Sequence, residues 1–84
     1  FGEGYIITVR IQGDVPNLEP AITHFTEHFP RATLKERHHN MLQYQIPSGI
    51  MTLDQIFGNI EDYQDRLGIE DYSVSQTTLD NVSV

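Results

Sequence analysis

The stretch Met51-Thr-Leu-Asp-Gln-Ile-Phe-Gly-Asn-Ile-Glu-Asp-Tyr-Gln-Asp-Arg-Leu-Gly68, running into Ile69-Glu-Asp-Tyr-Ser-Val-Ser-Gln76, decides the fold. Thr52 and Gln55 stand three apart, the spacing of a capping box in which each side chain binds the other residue's backbone N–H. Met51 faces Ile56 across that cap as a hydrophobic staple. Leu53, Ile56, Phe57, Ile60 and Leu67 then recur at helical spacing, Arg66 occupies the last turn, and Gly68 supplies the left-handed position beyond it. From Glu70 to Gln76 the pattern switches to alternation, with Tyr72 and Val74 directed inward. A helix is delivering the chain into a strand.

The same two periods recur upstream. Tyr5, Ile7, Val9 and Ile11 alternate with Ile6, Thr8, Arg10 and Gln12, as in a half-buried strand that Gly13 and Asp14 end. Asn17 is placed to cap a helix carrying Leu18, Ile22, Phe25 and Phe29 on one stripe. Glu19 complements its dipole, and Pro20 lies in the first turn where no N–H is missed. Pro30 stops that helix. Ala32 to Arg37 is polar enough for an edge strand, with Ala32 and Leu34 inward. The turn His38-His39-Asn40 leads into Met41 to Ile46, whose Leu42, Tyr44 and Ile46 form the buried set. Strand, helix, strand, strand, helix, strand predicts an α+β, ferredoxin-like βαββαβ sandwich: a four-stranded antiparallel sheet with both helices on one face. The first and third strands are then central, and the uncovered face presents Ile6, Thr8, Arg10, Gln12, Met41, Gln43 and Gln45.

The 84 residues suit one small domain, and a hydrophobic share of 38% is enough for a core. A net charge of −7 repels phosphate backbones and anionic headgroups, so neither nucleic acid nor direct membrane insertion is expected. The basic run Lys35 to His39 is interrupted by Glu36 and reads as a solvated hairpin tip. No apolar run approaches the ~20 residues of a membrane-spanning helix. Without cysteine there is neither a disulfide nor a thiolate metal site, which suits a reducing compartment.

Catalytic and metal constellations fare poorly. His24 and His28 have the i, i+4 spacing by which two imidazoles meet one zinc ion, but no third ligand is fixed, and both are expected as partly exposed residues flanking the apolar stripe. Glu61, Asp62, Asp65, Glu70 and Asp71 lack the ligand alternation of a calcium loop and read as a solvated acidic face, with Asp62 and Arg66 as a helical i, i+4 pair. Phe1-Gly-Glu-Gly4 lacks the lysine of a phosphate loop and precedes the first strand, so it reads as a linker. An RNA-recognition module would need aromatics where Thr8, Arg10, Gln43 and Gln45 stand. Asn81-Val-Ser83 matches a glycosylation sequon by accident. No catalytic residue, cofactor or metal is assigned, and the chain is not expected to be an enzyme.

Phe1-Gly-Glu-Gly-Tyr5, His28-Phe-Pro30, Leu34-Lys-Glu-Arg-His38, Asn40-Met-Leu-Gln-Tyr-Gln45 and the long block Ile69 to Val82 together resemble the segment that follows a nucleotide-binding domain in ATP-binding cassette subfamily A lipid transporters. Similarity is greatest to those of the sterol and sphingolipid exporter type. The resemblance implies a non-catalytic regulatory domain on the cytoplasmic side of a multi-pass membrane protein. Its partners would be the nucleotide-binding domains and the counterpart regulatory domain of the other half, and the ATP-binding motifs would lie upstream. Residues 1–84 are then one regulatory domain excised from a larger chain, with Phe1 to Gly4 as linker and Thr78 to Val84 as the truncated start of a helix. Ser83 stands where the family pattern has phenylalanine, so a role for that motif is not carried over. The candidate interaction residues are Ile6, Thr8, Arg10, Met41, Gln43 and Gln45 on the sheet face, with Lys35 and Arg37 on the hairpin. The alternative is a free-standing ferredoxin-like domain that binds a small ligand or a metal. An acylphosphatase-like version would want an anion-cradling loop after the first strand, where Gly13-Asp-Val-Pro16 places an acid instead.

Overall fold

A computed structural model describes residues 4–77. The elements are β1 (Gly4–Ile11), α1 (Glu19–His28), β2 (Thr33–Arg37), β3 (Met41–Pro47), α2 (Leu53–Leu67) and β4 (Ile69–Thr77), and the sheet order is β2-β3-β1-β4 with antiparallel pairing throughout. This is the ferredoxin-like α+β fold that the alternating periods predict. β1 begins at Gly4, a residue read from sequence as linker. Gly4 pairs with both Pro47 and Thr77, and a Cβ there would overlap the Ile46 carbonyl oxygen, so only glycine lets the strands close at that end. The expected helix start at Thr78 lies outside the described residues.

Local chemistry sets the ends of the helices. Thr52 Oγ1 accepts from the Gln55 N–H at 3.1 Å while Gln55 Oε1 accepts from the Thr52 N–H at 3.0 Å, and Gly68 closes α2 with φ +69°. At α1 the hydrogen-bonded helix starts at Glu19, but the capping side chain is Asn17, whose Oδ1 accepts the Glu19 N–H at 3.1 Å.

Ile7, Val9 and Ile11 of β1, Leu42, Tyr44 and Ile46 of β3, and Ile56 and Ile60 of α2 are buried in one cluster. At its centre Phe25 of α1 stacks on Phe29 and on Tyr44, with centroids 4.4 Å apart in both pairs. Leu34 and Leu53, both expected inward, are exposed. Leu34 pairs with Tyr44 and so lies on the helix-covered side, yet it is 39% exposed, on an edge strand with a neighbour on one side only. Leu53 has the right helical phase but is 40% exposed at the first position of α2.

Candidate docking face

Pleating sends alternate side chains of each strand to opposite sides, so burying Ile7 and Val9 forces Ile6, Thr8 and Arg10 onto the uncovered side. The register then fixes their neighbours. Ile6 lies between Gln45 and Ser75, Thr8 between Gln43 and Ser73, and Arg10 between Met41 and Asp71. Thr33 and Glu36 of β2 extend the first two rows opposite Gln45 and Gln43. The middle of this face holds hydroxyls and primary amides, and its charged residues sit at the Arg10–Asp71 end and at the β2 edge. Among the described residues, the side chains of Thr8, Arg10, Gln43, Gln45, Ser73 and Ser75 have no hydrogen-bonding or ionic partner within the protein. Their donors and acceptors are turned outward.

All six sheet residues singled out from the sequence therefore share one surface. The two hairpin residues do not join it. Arg37 pairs with Leu42 on the opposite side and reaches Glu19 of α1 at 3.5 Å, whereas Lys35 is the extra residue of a bulge between Leu34 and Glu36. Gln12 also leaves the face, because β1 ends at Ile11 and the Gln12 N–H donates to the Gly68 carbonyl at 2.8 Å. Asp71, Ser73 and Ser75 of β4 complete the face, and the inward phase of Tyr72 and Val74 in the sequence requires them to point outward.

The paired histidines prove to be part of the packing between the helices. His24 is 7% exposed, contrary to the expected surface position, and Asn59 Oδ1 of α2 accepts from its Nε2 at 2.6 Å. His28 stacks on it at 4.2 Å, Tyr63 lies 4.4 Å away by ring centroids, and the Arg66 guanidinium sits 5.4 Å over Tyr63. Arg66 thus packs on an aromatic ring instead of pairing with Asp62. Among the described residues no group of three or more His, Asp or Glu side chains is arranged to hold a metal ion. The acidic residues of α2 are exposed, as expected, and Glu61 accepts the Tyr72 hydroxyl at 2.8 Å, which raises that phenol above its ordinary value.

Burial pushes His24 below the ordinary histidine value of 6.5, and the positive form of His28 would add to that; the Asn59 hydrogen bond and Glu27 act in the other direction. Because the folded value is the lower one, the unfolded chain takes up the proton first on acidification. The contribution of neutral His24 is complete above 6.5 and is lost as the pH falls through the depressed value. Thermal melts at a series of pH values from neutrality downward should show stability falling below pH ~6.5, with the fall reduced in His24→Gln, which keeps an amide for Asn59. An equal fall in both proteins would contradict a buried neutral His24.

Comparison with known proteins gives the chain its class. The family model described as "ABCA1-like, C-terminal R1 regulatory domain" matches residues 2–76. The chain belongs to that family of regulatory domains. It is 52% identical over 84 residues to ATP-binding cassette sub-family A member 2 of Rattus norvegicus, covering all of this chain and 3% of that protein. It is 46% identical over 88 residues to the retinal-specific phospholipid-transporting ATPase ABCA4 of Mus musculus, covering all of this chain and 4% of that protein. At 32% over 84 residues it is similar to the glucosylceramide transporter ABCA12 of Mus musculus, again covering all of this chain and 3% of the relative. The chain spans 3–4% of the length of these relatives. Among its described residues no helix is long and apolar enough to cross a membrane.

Proposed function

We propose that this regulatory domain acts without chemistry of its own. It would follow a nucleotide-binding domain on the cytoplasmic side of an ATP-driven lipid exporter and couple the two halves by docking through its open sheet face. The partner is the counterpart regulatory domain or a nucleotide-binding domain. The observation that carries this reading is the face itself: one side of the sheet whose outward donors and acceptors have no partner among the described residues and whose centre carries no charge to desolvate. The names of relatives, a phospholipid-transporting ATPase and a glucosylceramide transporter, support the lipid-exporting context.

Magnitude supports a regulatory contact over a permanent one. The eleven outward positions, each occupying ~4.8 × 6.8 Å of the sheet, span on the order of 360 Å², under half of the ~800 Å² per partner in a standard stable interface. Such a contact forms and breaks readily, and it shifts the populations of engaged and separated halves by as much as its affinity differs between them.

The test is a full-length transporter carrying Arg10→Ala and Gln43→Ala in this domain. Folding and expression should be retained, while the dependence of ATP hydrolysis on lipid weakens. Unchanged coupling would remove the sheet face as the site. For the rival small-ligand reading, calorimetric titration of the 84-residue chain with zinc or an acyl phosphate is decisive, since a docking module shows no tight binding of either.

A further inference from the structure

The two edges of the sheet are built differently. β2 has five residues, three of them charged (Lys35, Glu36 and Arg37), and a bulge at Lys35, all features that keep another strand from pairing with it. β4 has nine residues and pairs with β1 in unbroken register from Asp71 to Thr77. From Tyr72 to Gln76 it carries neither charge nor proline. Among the described residues β4 has a neighbour on the β1 side only. Alternate residues of such a strand turn their N–H and C=O groups away from the sheet, so its outer side is a template for one more strand.

The side chains beside this edge define which strand fits. Tyr72 and Val74 lie on the helix-covered side yet are only half-buried, and Phe57 of α2, also half-buried, meets Tyr72 at 5.9 Å. They form an apolar ledge that the side chains of an added strand would remove from water. The border of the ledge is acidic. Glu61 accepts the Tyr72 hydroxyl at 2.8 Å, Glu70 is the extra residue of the bulge opposite Arg10 and Ile11, and Asp71 opens the regular stretch. All three acids are exposed, and none is in a salt bridge among the described residues. A second copy of this chain, with its own net charge of −7 and the same border, would meet this edge with like charge.

We infer that the outer edge of β4 is a strand-addition site for an extended basic segment of a partner protein. The segment's backbone continues the ladder, its apolar side chains cover Phe57, Tyr72 and Val74, and its lysines or arginines face Glu70 and Asp71. This edge is separate from the open sheet face, since it is read by backbone hydrogen bonds in the plane of the sheet.

The probe is a synthetic peptide of about ten residues alternating valine with lysine, long enough to lie along β4. It is titrated into the 84-residue chain and followed by amide NMR and hydrogen exchange. Shifts should concentrate between Asp71 and Gln76, where amides that exchange freely in the free chain become protected. The same peptide N-methylated at every residue keeps its charge but cannot donate to the ladder, and it should not bind. Glu70→Gln combined with Asp71→Asn should weaken binding by roughly two- to thirtyfold, the sum of two exposed ion pairs. Equal binding of the N-methylated peptide, binding unaltered by the double substitution, shifts centred on β2 or on Thr8 and Gln43, or no binding overturns the inference. So does protection of those β4 amides in the free chain: if it fades on dilution the occupant is a second copy, and if it persists the chain covers its own edge.

Discussion

Phe25→Ala should remove most of the stability of the domain. Phe25 is 1% exposed, it stacks on Phe29 and Tyr44 at 4.4 Å, and through Tyr44 it ties α1 to the central strand β3. Truncating a buried phenylalanine costs about 3–5 kcal/mol, the transfer energy plus that of the cavity left behind. For 84 residues the whole margin is only about 4–13 kcal/mol. At ~4–8 °C per kcal/mol in a domain this small, the melting temperature should fall by roughly 12–40 °C. Phe57→Ala is the control. Phe57 is half-buried against Tyr72 at 5.9 Å and should cost clearly less. Equal losses at the two positions would contradict an aromatic core centred on α1.

Thr8→Glu should abolish docking while leaving the fold in place. Thr8 sits at the middle of the open face, between Gln43 and Ser73, with Ile6 and Arg10 two residues away on its own strand. In the free domain a glutamate there remains in water, and the strand preference at stake is at most ~1 kcal/mol. In a docked complex it would be an unpaired carboxylate at the centre of a desolvated patch, a cost of about 3–5 kcal/mol. At ~1.4 kcal/mol per tenfold, affinity falls by about a hundredfold or more. The melting temperature of Thr8→Glu and its association are read separately, so loss of docking is distinguished from loss of fold. Glu36→Gln, at the β2 edge of the face, should change association little, because rim charges contribute mainly to encounter rate.

What the sequence disclosed, and what it withheld, follows from how local each determinant is. The α2 caps were readable because a capping box and a left-handed glycine are settled within a few residues, and the structure contains both. The composition of the open face was readable because strand periodicity is strict: once Ile7 and Val9 are inward, Thr8 has no choice. Leu34 and Leu53 were misjudged because phase tells which side a residue points to, not whether another element covers it there. His24 was misjudged because its burial depends on Asn59 and Tyr63, which lie on the other helix. Likewise the i, i+4 spacing of Asp62 and Arg66 offered an ion pair, but the Tyr63 ring next to them is the surface on which Arg66 rests. The Lys35 bulge, which separates the hairpin from the face, leaves no mark in the residue pattern of so polar an edge strand.

The most direct measurement is sedimentation of the 84-residue domain mixed with the counterpart regulatory domain and, separately, with the adjoining nucleotide-binding domain, each as wild type and as Thr8→Glu. Coupling through the open face predicts a reversible complex with at least one of them, lost in Thr8→Glu while that variant stays folded. A complex of unchanged strength with Thr8→Glu, or no complex with either partner, would contradict the account.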